Sequence, residues 1–344
     1  MEQKVIFPAE WYPQSAIQLT WPHGQTDWAP ILNEVTECYV AIAREIVKRE
    51  KLLIVCDEIA EVRRHLGEID YSSIIFREMK TNDTWARDHG GITVFAGGKP
   101  TVYDFVFNGW GMKFAANYDN LITRKLAKTN TFSKEVEVVN MQPLVLEGGS
   151  LESDGKGTLL TTVECLGSVN RNEYLHREQI EYHLKELFGL DRILWLENGY
   201  LAGDDTDSHI DTLARFCDEK TIAYVQCADE TDEHFVELRA MEEELKAFRT
   251  ADDQPYRLIP LPMADKVIQE GERLPATYAN FLIINDAVLI PFYRSDKDEM
   301  AKKTLQKAFP DREIIGIDCR ALIKQHGSLH CAAMQYPEGV INFT

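Results

Sequence analysis

Four short segments hold most of the residues able to do chemistry: NDTWARDHGG (82–91), LEGGS (146–150), GDDTDSHID (203–211) and HGSLHCAAMQ (326–335). Together they offer the Cys331 thiol, imidazoles that include His209, and carboxylates at Asp88, Glu147, Asp205 and Asp211. A thiol, an imidazole and carboxylates can in combination attack an electron-poor carbon, move protons near pH 7 and hold a cation. Each segment adjoins an apolar, strand-like run, and polar residues in Gly-containing turns at strand ends are where a rigid scaffold presents a site. Taken singly, each also has a structural explanation. Asp83 or Asp88 can cap a turn, Gly148-Gly149 can serve backbone geometry, and Cys331 beside His330 can be a packed thiol.

The elements that must position these segments alternate. Helical spacing of apolar residues appears at 31–49, with Pro30 before it and Ile31, Val35, Tyr39, Ile42 and Ile46 on one face, and again at 119–128, 176–188, 233–248 and 297–308. Between them lie β-rich runs: LLIV (52–55), ITVF (92–95), TVYDFV (101–106), TLLTT (158–162), ILWL (193–196), IAYV (222–225), FLII (281–284), VLIPF (288–292) and EIIGI (313–317). The pattern predicts an α/β protein with a hint of a repeated strand-and-helix unit. The polar stretch 250–257 reads as a loop. Nothing in the composition divides the 344 residues, so one continuous domain, 1–344, is expected. His209 and Asp211 are two apart, which on a strand would turn both to one face.

Composition sets the remaining bounds. A formal net charge of −19 argues against a nucleic-acid partner, whose phosphates are held by clustered Lys and Arg. The chain has no run of 18 apolar residues and no basic, then apolar, leader in MEQKVIFPAEW. No membrane association and a cytoplasmic location are therefore expected. Seven cysteines without a CxxC pair point to reduced thiols and to no structural zinc pattern.

In combination the segments are far more specific. WPHGQTDW (21–28), NDTWARDHG (82–90), LEGGSLESDGKGTLLTTVECL (146–166), DTDSHID (205–211), YANFLIIND (278–286) and GSLHCAAMQYP (327–337) resemble the blocks of the agmatine deiminase family, in its order and over nearly the whole chain. The resemblance implies a guanidino-modifying enzyme with a five-bladed α/β propeller of ββαβ units around a central site. It implies hydrolysis of agmatine to N-carbamoylputrescine and ammonia without metal or cofactor, in a possible homodimer.

The chemistry agrees with the resemblance. A guanidinium carbon is a poor electrophile, so its hydrolysis benefits from a strong nucleophile and from carboxylates that fix the cation. By resemblance, Cys331 attacks that carbon to give an S-amidino intermediate, and His209 is general acid for ammonia and general base for water. Asp88 and Asp211 match carboxylates that each accept two N–H bonds from one edge of the guanidinium. Glu147 matches an acid that supports the site or handles a proton. Asp205 falls on the position that binds the distal amine of agmatine, and Trp85 and Trp110 are expected to wall the channel.

Two departures bear on loop conformation: QHGSLHC stands where relatives often read GGGNIHC, and Ser208 where Gly is common. The rival readings are a deiminase of free or peptidyl arginine, an amidinotransferase, a zinc module built on Cys319, His326, His330 and Cys331, and a non-catalytic polyamine-binding protein. An arginine deiminase would need basic residues to recognise a carboxylate or peptide carbonyls.

Overall fold

The computed structural model describes residues 4–342. The helix expected at 31–49 runs Leu32–Ile46 and buries Val35, Tyr39, Ile42 and Ile46, the stripe that its spacing predicts. A 3-10 turn at Ala29–Ile31 leads into it, with Pro30 where the first-turn N–H has no helical partner. Three more form as Arg177–Phe188, Phe235–Ala247 and Asp298–Leu305, and the one expected at 119–128 divides into a 3-10 turn, Asp119–Leu121, and the helix Ile122–Ala127. A further helix, Ile59–Leu66, buries only Val62 and Leu66, too thin a stripe for periodicity to reveal. No helix among the described residues is long and apolar enough to cross a membrane.

The strands assemble as one motif repeated. In each case two antiparallel strands are followed by a helix and a third strand parallel to the second. The triplets are Ile92–Ala96, Lys99–Val106 and Glu137–Val145, then Glu152–Ser153, Thr158–Thr162 and Arg192–Leu196. Next come Ala214–Asp218, Thr221–Gln226 and Arg257–Pro262, then Leu282–Ile284, Ala287–Phe292 and Glu313–Asp318. The last triplet joins the chain's two ends: Ala333–Pro337 pairs antiparallel with Gln14–Thr20, which pairs parallel with Lys51–Cys56. Middle strands such as Lys51–Cys56 and Ala287–Phe292 are buried almost throughout, because helices and neighbouring sheets cover both faces. That is why they read as unbroken apolar runs.

Buried charges tie the units to one another. Arg215, fully buried, donates to Glu152, to Glu10 and to the Phe281 carbonyl. Glu10 also accepts the Ile283 N–H (3.0 Å) and faces His330 Nε2 (3.0 Å). Burial alone would raise the Glu10 carboxyl, but Arg215 and His330 hold it well below the usual range. An early segment of the chain thus joins Arg215 of one triplet, Ile283 of another and His330, the residue before Cys331.

Candidate active site

Each functional segment lies just upstream of the first strand of one triplet: Asp88 before Ile92, Glu147 before Glu152, His209 and Asp211 before Ala214, and Cys331 before Ala333. The structure brings all of them together. Asp88 sits in the single turn Ala86–His89, and Arg87 N–H donates to the Cys331 carbonyl (3.1 Å), fixing that turn to the nucleophile segment. Gly149 N–H donates to Asp88 Oδ1 (3.0 Å), and a Cβ at Gly149 would lie 2.5 Å from His209 Nδ1 and 2.7 Å from Asp88 Oδ1. The glycine is therefore required by close approach.

His209 and Asp211 do not lie on a strand. Asp207 (φ +65°) and Ser208 (φ +61°) are left-handed, and Ile210–Thr212 form a 3-10 turn. The Asp204 carboxylate imposes this path by accepting the N–H groups of Thr206 (3.2 Å) and Ser208 (2.6 Å). The left-handed φ at Ser208 is one that glycine adopts without strain. In the nucleophile segment, a Cβ on Gly327 would come within 2.4 Å of the Trp85 ring.

Cys331 Sγ is 3.6 Å from Asp211 Oδ2 and 3.3 Å from Asn280 Nδ2. Asp211 Oδ2 is held by His330 Nδ1 (2.7 Å), while its Oδ1 is buried with no protein partner. His209 Nε2 lies 3.0 Å from Glu147 Oε2, and its Nδ1 lies 3.6 Å from Asp88 Oδ1. Trp110 Nε1 donates to Asp88 Oδ2 (3.0 Å). Trp110 is itself left-handed (φ +55°) between Gly109 and Gly111, a strained path held by Asn108 Oδ1 on Gly111 N–H (2.9 Å) and by Lys113 Nζ on Asp207 (2.6 Å).

These neighbours set the charge states. Burial, then the Asp211 and Asp88 charges, push the Cys331 thiol well up. Burial raises Asp88 to about 6 against the pull of His209. Burial pulls His209 down, but Asp88, Cys165 and Glu147 outweigh it and hold the imidazole well above its usual range. Asp211 and Glu147 stay below the usual carboxylate range despite burial, through His330 and His209 for the first and His209 and Arg171 for the second. The result is an imidazolium among carboxylates with an unpartnered Asp211 oxygen beside the thiol, an arrangement built to accept a further cation.

Cys331, Asp88, Trp85 and Trp110 line a cavity that also takes in Asp27, Asp83, Asp204, Asp205, Phe114 and His326. Among the described residues no Lys or Arg lines it. Burial, then Asp204, raises Asp205 to about 6.

Three neighbours were not foreseen. Asn280 and His330 flank the thiol and Asp211, and Arg171, fully buried, donates to Glu147 Oε2 (2.8 Å), Asp207 Oδ2 (2.6 Å) and the Thr206 carbonyl (2.8 Å). Nothing in the spacing of GSVNRNEY marks Arg171. Glu147, Cys165 and His209 come close enough to share a metal ion, and the positive Arg171 guanidinium lies against the same carboxylate, on Oε2. The zinc reading fails at His330, both of whose nitrogens are engaged, by Asp211 and Glu10.

Fold and site together define an α/β protein with a cysteine, a histidine and paired carboxylates around an acidic cavity. The chain belongs to the Porphyromonas-type peptidyl-arginine deiminase family, which it matches over residues 6–337. It is 56% identical to a Porphyromonas gingivalis protein described as a "Putative Arginine Deiminase", with a TM-score of 0.96 covering 98% of this chain and 100% of that one. It is 40% identical to the agmatine deiminase of C. jejuni, solved with substrate bound, at a TM-score of 0.90 and 97% coverage of each chain. The DDAH of Pseudomonas aeruginosa, solved with citrulline, shares the fold at 12% identity, with a TM-score of 0.51 over 94% of this chain and 100% of that one. The expected α/β, pentein-like class and the resemblance to agmatine deiminases are borne out, and the chain is an enzyme of that type.

Proposed function

We propose that the chain hydrolyses the guanidinium group of agmatine to N-carbamoylputrescine and ammonia, with Cys331 as nucleophile, in a single catalytic domain spanning 1–344. The five triplets are read as the blades of an α/β propeller whose axis runs through the cavity. This reading is supported by the recurrence of the functional segments, each just upstream of a triplet's first strand.

Asp88 and Asp211 receive the planar cation, each along one N–H edge, and turn its carbon toward Sγ. The arriving positive charge favours the thiolate that Asp211 and Asp88 otherwise oppose. The thiolate adds to the carbon. The C–N bond to one terminal nitrogen then breaks, and ammonia leaves with a proton from the His209 imidazolium. His209, now neutral, takes a proton from water as the water adds to the S-amidino carbon. The hydroxyl of the adduct gives its proton to solvent as the C–S bond breaks, releasing the neutral urea product and regenerating the thiolate. Glu147, anchored by Arg171, holds His209 through Nε2.

The single observation that carries agmatine over arginine is the cavity lining: Asp27, Asp83, Asp204 and Asp205 with no Lys or Arg among the described residues. An ammonium is attracted there and an α-carboxylate repelled, and Trp85 and Trp110 supply aromatic faces beside the cation. The test is ammonia release from agmatine, arginine and a peptidyl-arginine. Agmatine should exceed both in kcat/KM, and a preference for arginine would overturn the reading.

A further inference from the structure

The block YANFLIIND (278–286) contributes nothing to the mechanism above. Yet it runs into and contains the first strand, Leu282–Ile284, of the one triplet that supplies no residue to that mechanism. Its Asn280, fully buried, occupies the position that Asp88, Glu147, Asp211 and Cys331 hold in the other units, and it touches the sulfur. We propose that Asn280 is the fifth unit's contribution to the site: it stabilises the Cys331 thiolate with an amide N–H while fixing the sulfur in register with Asp211.

The amide's orientation is set by backbone groups and not by the sulfur. Oδ1 accepts the N–H of His330 (2.9 Å) and of Cys331 (3.3 Å), and Nδ2 donates to the Asp211 carbonyl (3.2 Å). Turning the amide over would place an NH2 against two N–H donors and a carbonyl against a carbonyl. The remaining Nδ2 hydrogen therefore has a fixed place, and Sγ lies 3.3 Å from Nδ2, nearer than to Oδ1 at 3.5 Å, to which the neutral thiol would donate. A donor held by the scaffold favours the ionised acceptor without reorganising when the charge appears. Burial, then the Asp211 and Asp88 charges, oppose the thiolate most, whereas the Ser328 backbone and the Asn280 amide favour it. The same amide links the chain segment of the nucleophile to the backbone of Asp211, so the distance between sulfur and carboxylate depends on it.

This inference rests on Cys331 being the nucleophile, and the test separates the two claims. Asn280→Asp keeps size and the acceptor for both N–H groups but replaces the donor with a carboxyl. Asn280→Ala removes the donor without adding charge. In the full-length protein, carboxamidomethylation of Cys331 by iodoacetamide is followed against pH, with peptide mass mapping to exclude the other cysteines, alongside the pH profile of kcat for agmatine. The alkylation midpoint should move up by about one unit or more in Asn280→Asp and by less in Asn280→Ala. At neutral pH kcat should fall roughly 10²- to 10³-fold, as for loss of a preorganised donor. The readout is taken from whichever variant keeps a cooperative thermal transition. An unmoved alkylation midpoint overturns the proposal even if turnover falls, since that would be a packing effect. Turnover retained by Cys331→Ser would instead remove the nucleophile assignment.

Discussion

His209, on the turn after 203–208, and His330, one residue before Cys331, are placed in nearly the same way. Each imidazole lies between two buried carboxylates, Glu147 and Asp88 for the first, Asp211 and Glu10 for the second. They differ in the second contact. Both nitrogens of His330 are hydrogen-bonded, at 2.7 and 3.0 Å, whereas His209 Nδ1 stands 3.6 Å from Asp88 Oδ1 and has no hydrogen-bond partner. A ring bonded at both ends is a tie between segments. A ring with one nitrogen open beside Asp88, a carboxylate that receives the substrate, can give and take a proton. Gly149 makes the difference possible, since any side chain there would occupy the space between His209 and Asp88.

The strongest way to break this comparison is to treat both histidines alike. His209→Gln should lower kcat by roughly 10²- to 10⁴-fold with little change in thermal stability, the range for loss of a general acid–base group. His330→Gln should lose less turnover but unfold more easily, by about 1–3 kcal/mol, because Asp211 and Glu10 each lose a buried partner. Equal losses of turnover would erase the distinction.

The substrate end of the His209 region is sharpened by Asp205→Asn. Removing the charge should cost about 1.5–3 kcal/mol in binding the distal ammonium, roughly a tenfold to hundredfold drop in kcat/KM for agmatine. Butylguanidine, which has no ammonium, should be almost indifferent. Equal losses for the two would move Asp205 into the reaction centre.

The pH profile distinguishes the same groups more finely. Asp88 and Asp205 are both raised to about 6, so each gains a proton, and loses the charge that attracts the substrate, as pH falls through that value. The acid limb of kcat/KM, which reports the free enzyme, should be steeper in wild type than in Asp205→Asn. Identical slopes would remove Asp205 from the profile. The smallest effect on turnover is expected in the His330 region from Gly327→Ala, which must displace the Trp85 ring. Thermal melts should show a loss of about 1–3 kcal/mol for that overpacking.

What the sequence revealed and what it withheld follow from where the information lies. The stripe Val35, Tyr39, Ile42 and Ile46 and the run Lys51–Cys56 are local patterns, so the α/β class and its repeat were legible. The strand Ala214–Asp218 was not, because Arg215 interrupts it, and the carboxylates paired with its charge, Glu10 and Glu152, lie far away in sequence. The strand expected for His209 and Asp211 is a 3-10 turn because Asp204 caps the preceding backbone, an Asx pattern that the periodicity argument ignored. Cys331, His209, Asp88, Asp211 and Glu147 were found through blocks of sequence. Asn280 and Arg171 act through partners 51 and 24 residues away, and such pairing leaves no spacing to read.

The most direct test of the central claim is mass spectrometry of wild-type protein quenched during turnover of agmatine. The account predicts an amidino adduct on the peptide that carries Cys331, appearing with ammonia release and absent from Cys331→Ser, which should be folded and inactive. An adduct on Cys165, the thiol that lies 3.9 Å from Glu147, or unchanged turnover in Cys331→Ser, would contradict it.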